Sequence, residues 1–558
     1  MRNAGFPSVR PPARPAKRGR LARSTGCRWR RSRHTGTSRY SSASGTPAAA
    51  TPVAWDAAGA AGWPRVPVPA HGAPDQIARP KPSWYPSAVV QFGTSGWRGI
   101  IGREITFRKV RIVTQALINL LHEDCETVER IVVGYDTRML SEKFATTAAE
   151  LIASNGIRAE VVPRDVPSPA LSSAVLERKA DAGITFTGSH NPPEYNGLKI
   201  YTRDGIGAPS RFTDRVEEHF LALADVWDDV WLPRAELVGA HDPRPYYLER
   251  LQGLIDWETI RSSGITMVVD PLFGATREYL DHILLENEVP ITVIHNTRDP
   301  YFGGYAPDCT SENLSRLRDT MRRTGAQLGL ATDGDGDRFG ILDHGARMLD
   351  SCAVLGLVLD YLARRRGLRG RVGRTLATSR LLDAVTAEHG LELMEMPVGF
   401  KNFGPLLVDG TLEYAAEESA GLAWSRHLPE RDGILACLLV AEMVAVERKS
   451  LLELVHDLTR RVGTYAFRRI QIPLSDTGRQ QYERRLEQNW TGRTINGREV
   501  FSVDRRDGLK LIFEGGAWVL IRLSGTEPKI RLYAEGHSAE ETRHLMHMTR
   551  QLLSNRRM

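Results

Sequence analysis

The sequence predicts an α/β protein built from repeated domains and closed by a smaller α+β domain. Two observations carry this. A strand–helix–strand pattern begins at residues 130, 266 and 375 of the 558-residue chain, and such spacings match whole domains rather than neighbouring units of one sheet. After residue 458 the pattern changes. In the first unit, Arg130–Gly134 is a run of β-formers, Ser141–Ala153 is helical in pattern, and Arg158–Val162 is β-rich again. In the second, Thr266–Asp270 precedes a helical Ala275–Leu285 and then Ile291–Ile294. In the third, shorter unit the elements are Thr375–Thr378, Arg380–Glu388 and Glu392–Met396. Strands alternating with helices make layered sheets whose functional loops lie beyond the strand ends. Near the C-terminus, Gly463–Pro473 and Trp518–Leu523 read as strands, and a helical pattern starts at Ala539. The domain boundaries that follow are 91–242, 243–345, 346–458 and 459–558.

Composition fits a soluble globular chain, with 41% hydrophobic and 25% charged residues. No apolar stretch approaches the roughly 20 residues that a spanning helix needs. The longest, Ile434–Val446, is interrupted by Glu442 and reads as a buried helix. Cys27, Cys125, Cys309, Cys352 and Cys437 show no paired spacing, which argues for reduced thiols, a cytoplasmic setting and no zinc site. The net charge of +7 is uneven. Residues 1–90 hold 15 Lys and Arg against Asp56 and Asp75, so the remainder is net acidic at −6. The body therefore gives no basic excess for nucleic acid or a membrane surface. Residues 1–90, rich in Arg, Pro, Ala, Ser and Gly, read as a disordered basic tail ending in a Pro-rich linker at Arg79–Pro86. The same composition admits a transit peptide or a nucleic-acid arm. Without a continuous apolar run it is no secretory signal.

Three loops and one short turn carry chemistry. Gly183–Pro193, GITFTGSHNPP, starts as a strand and breaks into a turn that can present Ser189. It lacks the G-x-S-x-G elbow of a hydrolase. As a phosphoryl carrier Ser189 needs a cation and phosphate-binding groups from elsewhere. Asp333, Asp335 and Asp337 in DGDGDR, after a strand-like Gln327–Ala331, can converge on one hard cation. An EF-hand is excluded by Arg338 at the sixth position and His344 at the twelfth. Three protein oxygens leave room for waters and a phosphate oxygen, which suits octahedral Mg2+. Arg522-Leu-Ser-Gly-Thr-Glu-Pro528, followed by Arg531, offers hydroxyls, amides and guanidinium to a phosphate, and reads equally as a hairpin turn. Ala416-Glu-Glu-Ser-Ala-Gly421 supplies carboxylates and a hydroxyl for sugar hydroxyls, or else a helix N-terminus.

Phe92-Gly-Thr-Ser-Gly-Trp-Arg-Gly99, the SHNP loop, DGDGDR, EESAG and RLSGTEPK follow one another in the order seen in the α-D-phosphohexomutase family. The chain resembles that family over residues 91–540. The resemblance implies three related α/β domains with mixed sheets and a smaller C-terminal α+β domain around a central cleft. It implies Mg2+ and a phosphoserine that interconverts hexose 1-phosphate and hexose 6-phosphate, with a sugar bisphosphate as intermediate and activator. Carried over by position, Asp333, Asp335 and Asp337 bind the metal together with the Ser189 phosphate, beside Arg98 and Arg338. Glu417 and Ser419 hold sugar hydroxyls. Arg522, Ser524, Gly525, Thr526 and Arg531 grip the non-reacting phosphate, with Lys401 beside it. Lys199 and His190 are the acid/base candidates. The implied partner is a small phosphosugar, and the implied assembly a monomer or homodimer.

Gly188, Ala420 and Leu523 stand where the family usually has alanine, glycine and proline, and none of the three is a reacting group. Phosphoglucosamine mutase is the nearest rival, but FGTSG and EESAG are closer to the gluco/manno pattern than to FGTDG and EQSGH. An inactive, mutase-like binding protein is disfavoured by the intact Ser189, the three aspartates and Arg522.

Overall fold

The computed structural model describes residues 90–228, 232, 234–474, 482–483, 488, 490–495, 497–523 and 529–554. The basic tail lies outside the described residues, as do Ser524, Gly525 and Thr526.

The three expected repeats share one strand order. In the first sheet, Arg130–Tyr135 runs parallel to Arg158–Val161 on one side and to Ala182–Phe186 on the other, and Tyr195–Thr202 returns antiparallel to the latter. In the second sheet Met267–Asp270, Ile291–Val293, Leu328–Thr332 and Phe339–Asp343 take the same four places. In the third these are Arg371–Thr375, Leu393–Met396, Leu412–Glu417 and Gly421–Trp424. Each repeat is therefore a mixed sheet with its third and fourth strands joined as a hairpin. The first sheet is extended to seven strands, partly by Gly96–Ile100, which pairs with Tyr195–Thr202. The last sheet is antiparallel in every pairing, and the helix Ala539–Ser554 packs across it.

One apolar core runs through the first three sheets, and a second lies beneath the C-terminal helix. The opposite face of the last sheet is seated on the third repeat, where Trp518, Leu520 and Tyr533 cluster with Ala377 and Val398. Helix Gly433–Glu447 is apolar on all sides and almost wholly buried. Asp432 caps it by accepting from the amides of Ile434 and Leu435 at 2.9 and 3.0 Å. Glu442 is tolerated inside because its carboxylate accepts from the Tyr361 hydroxyl, Arg366 and the Asp256 amide.

The expected elements shift in two places. The third repeat opens with Arg371–Thr375 rather than at Thr375, because Arg374 makes a buried strand look polar. Its guanidinium is neutralised by Asp383 and Glu395. In the second repeat the helix begins at Leu280, not Ala275. The intervening turn is held instead to the aspartate loop, with the Ala275 amide donating to Gly334 O at 2.9 Å and Thr276 Oγ1 lying 2.6 Å from Thr332 Oγ1. Among the described residues Cys309, Cys352 and Cys437 are free thiols. Among the described residues no helix is long and apolar enough to cross a membrane.

Candidate active site

The three hairpins that join third to fourth strands carry Ser189, the three aspartates and the Glu417–Ser419 pair respectively. Ser189 is buried and left-handed, with φ 50°. Its amide donates to Thr187 Oγ1 at 2.7 Å, and its hydroxyl donates to Asp333 Oδ2 at 3.1 Å, linking the first repeat to the second. His190 Nδ1 lies 3.4 Å from the same hydroxyl. Burial, and then the charges of Arg338, Arg98, Arg469 and Arg531, push the imidazole well below its usual pKa, so it is neutral at pH 7.

Asp333, Asp335 and Asp337 each offer an oxygen within 4.8 Å of the other two, and all three are buried. Lys199 Nζ donates to Asp335 and Asp337 at 2.5 and 2.6 Å, and the Ser168 hydroxyl donates to Asp335 at 2.7 Å. Burial would raise Asp337, but Arg431, Lys199 and Arg338 outweigh it and hold the carboxyl below its usual range. Asp333 moves the other way, raised by burial and by the charges of Asp337 and Asp335. Asp335 Oδ1 and Asp337 Oδ1 remain buried without a hydrogen-bond partner among the described residues. Orphaned carboxylate oxygens are costly, and a hard cation is the group they fit.

Around the serine stand two close guanidiniums. Arg98 Nη1 donates to Asn191 Oδ1 at 2.8 Å while its buried Nη2 has no partner among the described residues. Burial and the neighbouring Arg338 bring Arg98 down to about 10. Arg338 Nε is likewise buried and unpartnered, 3.8 Å from Asp337 Oδ1. An anion between these two would relieve their repulsion.

Arg431, which sequence reasoning did not single out, ties three loops together. Its guanidinium donates to Asp337 Oδ2 at 2.7 Å, Glu417 Oε2 at 3.1 Å and Ser95 Oγ at 3.1 Å. The next residue but one, Gly433, has to be glycine for a steric reason. A Cβ there would lie 2.3 Å from Arg338 O, and its amide donates to Gly336 O at 3.0 Å. The motif Glu430-Arg-Asp-Gly433 thus positions the aspartate loop; a charged run breaking before an apolar helix was the available signal.

In the third hairpin Glu417 accepts from the Gly399 amide at 3.0 Å and from the Ser419 hydroxyl at 3.1 Å. Lys401 Nζ donates to Gly93 O at 3.1 Å, joining the third repeat to the FGTSG opening. A cleft of about 470 Å3 is lined by Arg338, Glu418, Ser419 and Arg469. A second space of about 380 Å3 is lined by Lys401, Arg506, Arg522 and Arg531. Arg522 is aimed by Asp507, which accepts from its Nε at 2.8 Å and from the Val398 amide at 2.9 Å. Arg469 and Asp507 were also not foreseen, because nothing local to either marks it as facing the cleft.

A serine presented to converging aspartates, flanked by two guanidiniums that each keep one buried nitrogen without a hydrogen-bond partner among the described residues, and faced by a cationic wall, is the equipment of a phosphoryl-transfer enzyme. Family models described as phosphoglucomutase/phosphomannomutase α/β/α domains I, II and III and C-terminal domain match residues 89–226, 245–346, 350–462 and 480–552. A Thermococcus kodakarensis phosphoglucomutase/phosphomannomutase is 30% identical, over 83% of this chain and 98% of its own. A Methanothermobacter thermautotrophicus protein, provisionally assigned as a phosphoglucosamine mutase, is also 30% identical over the same shares. A solved structure from Thermus thermophilus, provisionally assigned as a phosphomannomutase, is 31% identical with a TM-score of 0.74, covering 84% of this chain and all of its own. The chain belongs to the phosphoglucomutase/phosphomannomutase family, and with it to the enzymes that interconvert hexose phosphates.

Proposed function

We propose that Ser189 carries the phosphoryl group between the 1- and 6-hydroxyls of a hexose phosphate, by way of a hexose bisphosphate. The observation that carries this is Ser189 Oγ, 3.1 Å from an aspartate of the neighbouring repeat and beside two guanidiniums, each with one buried nitrogen that has no hydrogen-bond partner among the described residues.

In the first half-reaction the bond from phosphorus to Ser189 Oγ breaks as one to the free sugar hydroxyl forms. His190, neutral and next to the serine, takes the proton of the attacking sugar hydroxyl and passes it to Ser189 Oγ as that oxygen leaves; the second half-reaction runs the transfer in reverse, from the serine hydroxyl to the departing sugar oxygen. Lys199, clamped between Asp335 and Asp337, serves as a fixed positive charge. Arg98 and Arg338 stabilise charge on the transferring group. Asp333, Asp335 and Asp337 would hold Mg2+, which when bound supplies the charge that lets a phosphate approach three carboxylates. Glu417 and Ser419 accept and donate at sugar hydroxyls, while Lys401, Arg522 and Arg531, with Ser524, Gly525 and Thr526, hold the far phosphate. After turning over, the bisphosphate offers its other end to the same serine, so one phosphate grip serves both halves.

The test is a coupled assay over glucose, mannose and glucosamine 1-phosphates with Mg2+ and trace sugar bisphosphate. Turnover of glucose or mannose 1-phosphate is expected to exceed that of glucosamine 1-phosphate. A preference for glucosamine 1-phosphate reassigns the substrate, and no turnover of any sugar overturns the reading.

A further inference from the structure

We propose that Arg138 is the positioning residue of the phosphoryl carrier, holding Ser189 in its left-handed conformation through the backbone of the 189–195 loop. This rests on reading Ser189 as that carrier.

A guanidinium has five N–H donors in a rigid plane, and here every one has an acceptor. Nε donates to Asp136 Oδ2 at 3.1 Å. Nη1 donates to Pro192 O at 2.6 Å and Tyr195 O at 3.0 Å. Nη2 donates to Ser189 O at 2.5 Å and Asn191 O at 2.6 Å. Four of the five bonds thus end on carbonyls of one short loop. Arg138 is only 1% exposed, so those carbonyls have little access to water, and losing the arginine would orphan them.

The loop and the arginine fit each other sterically. A Cβ at Gly188 would sit 2.8 Å from both Cζ and Nε and 3.0 Å from Nη1, so the guanidinium lies flat against that backbone. The Phe302 ring, from the second repeat, lies 4.9 Å from Cζ. Asp136 is itself fixed, accepting from the Arg138 amide at 3.0 Å and the Ser141 hydroxyl at 2.8 Å. The loop's far end is tied to the same segment, with Asn196 Nδ2 donating to Ser141 Oγ at 2.9 Å.

No atom of the Arg138 guanidinium bonds the Ser189 hydroxyl; its effect passes through the serine's carbonyl. A left-handed serine is strained backbone that survives only where its surroundings over-determine it, and Arg138 supplies that constraint. A lysine has three donors and no plane, so it cannot reproduce the grip.

The test uses full-length protein with glucose 1-phosphate, Mg2+ and trace glucose 1,6-bisphosphate. Arg138→Lys should lower kcat about 10²-fold, the scale of an ångström-sized misplacement, with KM within about twofold. The phosphoserine 31P resonance should shift or broaden. Millimolar guanidinium should restore part of the kcat of Arg138→Ala. Phe302→Leu, which removes the ring but keeps bulk, should show a smaller loss of kcat at unchanged KM and remains informative if Arg138 variants do not fold. Wild-type kcat in Arg138→Lys or in Phe302→Leu overturns the inference alone. So does a loss that tracks melting and is not restored by guanidinium. Absence of phosphate from Ser189 in the wild type overturns the carrier reading and this inference with it.

Discussion

Arg522 and Arg531 stand directly opposite each other on neighbouring antiparallel strands of the last sheet. Like charges in that register repel, and Asp507, which accepts from Arg522 Nε, offsets part of that repulsion. An arrangement that is unfavourable alone becomes favourable when an anion sits between its members. Arg522→Ala should therefore cost on the order of 2–5 kcal/mol in substrate or transition-state binding and leave Tm nearly unchanged. Intact kinetics with a collapsed Tm would make the arginine structural.

Purified protein is expected to carry a partial mass increment of one phosphoryl group, on the peptide that contains Ser189. Ser189→Ala should lose both the increment and nearly all mutase activity. Asp335→Asn should keep the serine but slow turnover by ~10²–10³, the usual cost of a charge-stabilising group. Full activity in folded Ser189→Ala protein would exclude the phosphoserine route.

Much of this was legible in the sequence because the chemistry is written in short contiguous runs. GSHNPP, DGDGDR and EESAG each lie in one hairpin, so their residues are neighbours in both sequence and space. Arg138, Arg431 and Asp507 were not legible, since each acts on a loop tens to hundreds of residues away and is unremarkable where it stands. The strand Arg371–Thr375 was misplaced for a related reason: burial of Arg374 depends on partners at 383 and 395 that no local window contains. Tertiary neutralisation overrides the local polar pattern there.

Ala420, left-handed at φ 66°, stands where the family usually has glycine. A side chain in that conformation costs roughly 1–2 kcal/mol, which offsets the entropic cost of introducing glycine. Ala420→Gly should be close to neutral in urea unfolding. Ala415→Gly in the adjoining strand lacks this relief and should be more destabilising by at least about 1 kcal/mol. Equal losses at the two positions would refute the strain argument.

Lys510 is buried at the seat of the last sheet, where its Nζ donates to Leu376 O at 2.7 Å and lies 4.3 Å from the Trp518 ring centroid. Burial, and then the charge of Arg374, push it down to about 8. Below that pH both states are protonated and the fold bears the full cost of the buried charge. Between about 8 and the ordinary lysine range near 10.4, the unfolded chain binds the extra proton, so stability should rise with pH. Lys510→Met should flatten that rise in denaturant midpoints measured from pH 7.5 to 10. A wild-type midpoint that falls over this window would contradict the assignment.

Every motif assigned here begins at Phe92 or later. Removing residues 1–85 should leave turnover and Mg2+ dependence within about twofold of the full chain. A large loss in well-folded truncated protein would place part of the active machinery in the tail.

The hairpins of the three repeats each contain one left-handed residue: Ser189 at φ 50°, Gly336 at φ 74° and Ala420 at φ 66°. Three connections of different length thus share one conformational requirement, and the chain meets it with three different residues. Where glycine fills the place, nothing is asked of the side chain. Where serine fills it, the turn aims a hydroxyl that an ordinary strand end would point elsewhere. Transplanting a catalytic loop between repeats would therefore have to carry the handedness of that single residue with it, because the flanking strands already agree.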